Sequence, residues 1–148
     1  VGTPTPPRVF GERAACIDAV RLVDGVETAA MPGESGGWLF VATPVREEAA
    51  FSSLATRVMA AAADRAAFVV FVDSQVDVSD VDQAMFHWVA NTDMLRDASV
   101  IGRSMWFDAT PKDAGVRRGF PVREWPPLLA MDRAVTERVR RTFDGLLA

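Results

Sequence analysis

At 148 residues and 16.1 kDa the chain is long enough to bury one core without disulfide or metal staples. Hydrophobic residues make up 49% and charged residues 24%, and a net charge of −4 offers nothing to a nucleic acid or an anionic membrane. The single cysteine, Cys16, forms no internal disulfide, no apolar run reaches the roughly 20 residues that span a bilayer and no signal-peptide pattern opens the chain, so a cytoplasmic protein is expected.

Residues 1–14 read as an extended tail or linker, because Pro4, Pro6 and Pro7 interrupt any apolar period. Residues 15–148 read as a single domain. From Ala15 to Met31 two extended runs flank Asp24-Gly25, a dipeptide that favours a primed turn, and predict an N-terminal hairpin with Cys16 in its first arm. Pro32 to Gly37 is a loop. Trp38 to Thr43 is an apolar strand ended by Pro44.

Glu47 to about Ala63 predicts a helix, with Phe51, Leu54, Val58 and Met59 at helical spacing and Glu47 and Glu48 at its amino end. Ala67 to Val72 is a continuous apolar run, as expected of a strand buried on both faces. Ser79 is placed to cap a helix through Asn91 whose apolar face is Val81, Met85, Trp88 and Val89. Short strands follow at Ala98–Ile101 and Met105–Phe107. Residues 111–127, rich in proline, are expected to wrap the surface irregularly, and Asp132 to cap a final helix striped by Val135, Val139, Phe143 and Leu146. Strands alternating with helices predict an α/β fold: a mainly parallel sheet with flanking helices, the N-terminal hairpin, and a C-terminal helix after the irregular segment.

Few residues suggest chemistry. Asp73, past the buried strand, lies where open α/β sheets place ligands, and with Asp77, Asp80 and Asp82 it forms an acidic cluster. The spacing fits no calcium-binding EF-hand loop, and helix capping accounts for Asp80 and Asp82. Asp73 and Asp77 therefore stand as ligand-site candidates. A phospho-acceptor role for Asp73 is set aside, since no early acidic pair follows a strand and Lys112, the only lysine, falls in a loop. His87 is the only histidine, so no histidine metal pair exists, and Cys16 has no neighbouring base in sequence. Gly33, Gly36 and Gly37 form no phosphate-binding pattern. Nothing in the residues defines a catalytic, cofactor or metal set.

A collective pattern is more specific. Phe68-Val69-Val70-Phe71-Val72-Asp73, Val76-Asp77-Val78-Ser79-Asp80, Arg96-Asp97, Ser104-Met105, Asp108-Ala109-Thr110, Arg123-Glu124-Trp125 and Asp132 with Val135 occur in that order. From about Val26 onward this resembles the C-terminal domain of the UbiD-type decarboxylases, which use prenylated flavin mononucleotide. The resemblance implies that the flavin, its metal and a glutamate–arginine–glutamate set belong to an N-terminal domain not matched here. It implies no catalytic residue in this chain. Arg96, Asp97, Ser104, Met105, Asp108, Ala109, Thr110 and Trp125 are then expected to be architectural or assembly positions. Against the family pattern the chain is shorter between Met59 and Phe68, lacks a long loop between Val100 and Ser104, and dilutes the acidic run near Asp73. The expected function is thus a small assembly or lid component of a decarboxylase for an aromatic or unsaturated acid, with a larger flavin-binding chain or itself as partner. The competing expectation is a self-assembling non-enzymatic module. Trp106, Phe120 and Trp125 are the expected interface anchors.

Overall fold

The computed structural model describes residues 13–32, 37–63, 65–123 and 132–146. Its elements are α1 (Arg13–Arg21), β1 (Thr28–Ala30), β2 (Trp38–Thr43), α2 (Glu48–Ala62), β3 (Phe68–Asp73), α3 (Val81–Asn91), β4 (Ala98–Ile101), β5 (Ser104–Asp108), β6 (Gly115–Arg117), β7 (Phe120–Val122) and α4 (Arg133–Leu146). Five strands form one sheet in the order β1-β2-β3-β5-β4. The central three are parallel, with Trp38 beside Phe68 and Phe68 beside Met105. Both edges run antiparallel: Ala29 pairs with Val41, and Val100 with Met105.

Alternation along β3 divides the interior into two cores. Val69 and Phe71 face α1 and α2 with Cys16, Val20, Phe51 and Leu54. Val70 and Val72 face α3 with Phe40, Phe107 and Ala84. Each fully buried side chain of this size stabilises the fold by about 1.5–3 kcal/mol through removal of apolar surface from water. Phe51 packs edge-on against Phe71 and Trp106, at 5.1 and 5.7 Å between ring centroids. On the other face Trp38 lies 4.6 Å from both Phe68 and Trp88.

The mixed α/β architecture, its sheet, its flanking helices and its closing helix agree with the sequence reading, with specific corrections. The hairpin expected over residues 15–31 does not form, because residues 13–21 are helical. Cys16 and Val20, four apart, present one apolar helical face to α2 and are both fully buried there. Only the second arm is extended, as β1, and it pairs with β2. The Asp24-Gly25 turn is real, since Gly25 has φ +94°, but it follows a helix. Arg21 Nη2 bonds the Ala29 carbonyl at 2.9 Å, tying α1 to β1.

The α3 cap is Asp80 rather than Ser79: its Oδ1 accepts the Gln83 amide at 3.0 Å. Val89 is exposed, and Ala84 replaces it on the buried face. Trp106 is buried, because β5 is a central strand. Residues 115–122 form the β6–β7 hairpin, turned by Arg118 and Gly119 at φ +50° and +79°, the two positive φ values of a primed turn. The expected tail before residue 13, the centre of the 32–37 loop and Trp125 lie outside the described residues.

Candidate functional site at the carboxyl edge of the sheet

The parallel strands end side by side at Thr43, Asp73 and Asp108, the edge where open α/β sheets place their ligands. Thr43 Oγ1 donates to the Gly25 carbonyl at 2.6 Å and accepts the Val45 amide at 3.1 Å. Asp73 Oδ2 lies 2.6 Å from Arg46 Nη2, and its Oδ1 takes the Gln75 amide at 3.0 Å. Both side chains are spent on the surrounding loops: Thr43 on the turn before β1 and the loop after β2, Asp73 on the loops after β2 and β3.

At Asp108 the structure brings together groups that the sequence keeps apart. Oδ1 accepts Thr110 Oγ1 at 2.6 Å and the Thr110 amide at 3.1 Å, while Oδ2 pairs with Arg117 Nη2 at 2.6 Å. Arg96 holds Asp97 with both ends of its fork, at 2.9 and 2.8 Å, and donates to the Pro121 carbonyl at 3.1 Å. Between the two aspartates sits Lys112. Its Nζ donates to the carbonyls of Asn91, Asp108 and Thr110 at 3.2, 2.7 and 3.0 Å, with Asp97 Oδ2 at 3.5 Å and Asp108 Oδ1 at 3.7 Å. Burial pushes the Lys112 ammonium below its ordinary pKa, and the carboxylates of Asp108 and Asp97 oppose that shift. The hydrogen-bonded Asp97 carboxylate pushes Arg96 upward against the effect of its burial.

These contacts fasten the β6–β7 hairpin across the edge. Arg117 also donates to the Arg46 carbonyl at 2.9 Å and lies over the Phe51 ring at 5.4 Å. Arg118 lies over Trp106 at 4.5 Å. The expected motif positions Arg96, Asp97, Asp108 and Thr110 therefore converge, with Ala109 buried among them and its amide bonded to the Phe71 carbonyl at 2.8 Å. Ser104 works at the opposite end of β5, donating to the Ala66 carbonyl at 2.7 Å, and Met105 packs beside it on the α3 face.

Lys112 and Arg117 were not singled out as site residues, because their partners lie in irregular segments where no period links them. Asp77 stands apart from Asp73 on an exposed turn. The Ser79 hydroxyl, bonded to Oδ1 at 2.6 Å, holds the Asp77 carboxyl below its usual range, with the Ser79 amide helping. His87 Nδ1 lies 3.4 Å from Asn91 Nδ2 on α3, whereas Cys16 lies in the core on the other sheet face, so the two cannot pair. Burial raises the Cys16 thiol, leaving it a poor nucleophile. Among the described residues no group of three His, Cys, Asp or Glu converges as a metal site, and no helix is long and apolar enough to cross a membrane.

The geometry defines an α/β domain whose ligand edge is closed by its own ion pairs. Residues 9–117 match the 3-octaprenyl-4-hydroxybenzoate carboxy-lyase C-terminal domain, and the chain belongs to that family, the C-terminal domain of the UbiD-type decarboxylases. Solved structures agree on the fold. The closed form of vanillic acid decarboxylase from Sedimentibacter hydroxybenzoicus matches with a TM-score of 0.65 and 18% identity, over 89% of this chain and 31% of that one. An evolved dimeric form of the UbiD-class enzyme HmfF from Pelotomaculum thermopropionicum, in complex with prFMN, gives 0.53 and 21%, over 84% and 29%. The 3,4-dihydroxybenzoic acid decarboxylase of Klebsiella pneumoniae gives 0.53 and 15%, over 86% and 32%. The chain thus spans about a third of the length of these enzymes. No curated protein matches the sequence.

Proposed function

We propose that this chain is a non-catalytic assembly or lid component of a prenylated-FMN-dependent carboxylase/decarboxylase acting on an aromatic or unsaturated carboxylic acid. A larger flavin-binding polypeptide, or flavin-binding region, supplies the cofactor, its metal and the acid/base residues. Residues 1–14 serve as tail or linker, residues 15–148 as one domain, and the complex works in the cytoplasm. The observation that carries this reading is the closed carboxyl edge: Asp73, Asp97 and Asp108 are each held by a cation of the same chain. The closed edge does not fit a flavin phosphate, because its cations Arg96, Lys112 and Arg117 are already consumed by carboxylates and carbonyls. Arg96, Asp97, Asp108 and Thr110 act as architecture, consistent with their burial, and Asp73 and Asp77 as loop anchors rather than ligands.

The test is expression with and without a flavin-domain chain of this family. The isolated protein is expected to show no flavin absorbance and no release of CO2 from aromatic acids, and the co-expressed pair to purify as one active complex. Stoichiometric flavin on the isolated chain would overturn the proposal. A self-assembling module without a flavin partner is the second reading, favoured by the apolar stripe that α4 leaves exposed at Val139 and Phe143.

A further inference from the structure

The two edges of the five-stranded sheet are finished differently. At the β1 edge Arg21 Nη2 closes on the Ala29 carbonyl at 2.9 Å, and Ala29 is fully buried. At the β4 edge the Asp108 amide bonds the Asp97 carbonyl at 2.8 Å, which fixes the phase of the antiparallel ladder. Residues of such a pair alternate between those bonded to the neighbour and those whose N–H and C=O groups point away from it. In step with Asp97, Ser99 and Ile101 face the ladder with β5, whereas Ala98 and Val100 turn their main-chain groups outward. Among the described residues no hydrogen bond outside the ladder reaches Ala98 or Val100.

An open edge is normally blunted by a charge, a proline or a bulge. Ala98-Ser99-Val100-Ile101 holds none of these, and its register with β5 runs without interruption. It also presents a β-branched side chain on either face, Val100 at 62% exposure and Ile101 at 42%. Beside Val100 lies an open cavity of about 330 Å³, lined by Phe68, Met105, Arg103 and the turn at Gly102. Phe68 and Met105 belong to the α3-side core, and Val100 stands opposite Met105, so strand edge and cavity share one face.

Main-chain donors and acceptors that recur at every second residue, roughly 6.8 Å apart along a strand, are matched by the main chain of another extended segment. The uncharged edge calls for an uncharged segment, and the largely apolar cavity for an aliphatic side chain. We infer that β4 is a strand-addition site: an uncharged extended segment of another polypeptide pairs with Ala98 and Val100 as a further strand of the sheet. Every second side chain of that segment faces the α3 side, and one of them, aliphatic, seats between Phe68, Val100 and Met105. The site goes beyond the proposed flavin-bearing assembly and does not rest on it.

Amide exchange of the full isotope-labelled chain, read residue by residue by NMR, tests the assignment with a blocked hexapeptide alternating threonine and leucine as the probe. In the free protein the Ala98 and Val100 amides are expected to exchange faster than those of Ser99 and Ile101. With millimolar peptide they are expected to slow at least roughly tenfold. The same peptide methylated at every backbone nitrogen is expected not to bind, since it has no donor left for the ladder. Val100→Pro removes an outward N–H without touching the bonds to β5, so it is expected to keep the far-UV circular dichroism of wild type and lose at least roughly tenfold in peptide affinity. Val100→Lys, which keeps the N–H and places a charge on the edge, is expected to do the same. Unchanged exchange at Ala98 and Val100 overturns the inference, as does equal binding of the methylated peptide or full affinity in both variants. Protection of those amides that grows with protein concentration in the absence of peptide also overturns it, because a second copy is then the occupant. No flavin partner enters these readouts, so this inference and the proposed function stand or fall separately.

Discussion

A buried ammonium persists only where oxygen atoms replace its water, and Lys112 has three carbonyls and two carboxylates arranged to do so. Removing one member of such a set leaves the others charged and unsolvated. Asp108→Asn, which unpairs Arg117 and leaves Lys112 short of one carboxylate, is expected to cost about 3–5 kcal/mol in urea unfolding. Lys112→Met is expected to destabilise as well, and the double variant to lose less than the sum of the two, with a coupling of roughly 0.5–3 kcal/mol. Full additivity would show that the two side chains do not act together. Glu47 supplies a pH signature of its own. The amides of Ala49 and, next, Ala50 hold its carboxyl below the usual range. The folded state therefore binds the Glu47 proton less readily than the unfolded chain. Its stabilisation is fully present above the ordinary carboxylate pKa and is lost as pH falls through the depressed folded value. Glu47→Gln is expected to be less stable than wild type at neutral pH and to converge with it in acid, measured as denaturant midpoint against pH.

At the scale of the element, α2 ends on Ala63 at φ +46° and ψ +56°, a left-handed conformation that costs a residue with a Cβ. Its amide still bonds the Met59 carbonyl at 3.2 Å, and Arg65 reaches back to the carbonyls of Ala62 and Ala61 at 3.0 and 2.7 Å. Ala63→Gly keeps these bonds and relieves the strain, so it is expected to stabilise the domain by about 0.5–1 kcal/mol in thermal or urea unfolding. Elements with a clean period were legible in the sequence: the apolar run of β3, the Phe51–Leu54–Val58 face of α2 and the Asp132 cap of α4, whose Oδ1 accepts the Ala134 amide at 2.8 Å. Helix α1 is hidden in the sequence because the Asp24-Gly25 turn signal after it outweighs the single four-residue spacing of Cys16 and Val20. The β4–β5 hairpin turns on Gly102 and Arg103, too short a connection for a parallel crossover, so β4 becomes an edge strand. The ion cluster was only half visible. Arg96-Asp97 and Asp108-Ala109-Thr110 stood out as motifs, but what joins them is Lys112 and Arg117, placed by a loop and a hairpin.

For the whole molecule, the two sheet faces are unequally covered. Helices α1 and α2 close one side, while on the other, among the described residues, α3 alone packs over the Phe40–Val70–Phe107 core and leaves Phe86 and Val89 exposed. That imbalance, with Val139 and Phe143 of α4 exposed, is the physical ground for reading the domain as a piece of an assembly. The closed carboyxl edge points the same way, since the groups that would handle a ligand instead hold the hairpin in place. One further consequence concerns Lys112, whose side chain is 1% exposed and which is the sequence's single lysine. An amine-directed acylating or cross-linking reagent meets no accessible lysine side chain in the folded domain. Its slow uptake at residue 112 would therefore count openings of the cluster, giving the molecule a built-in chemical clock for its own unfolding.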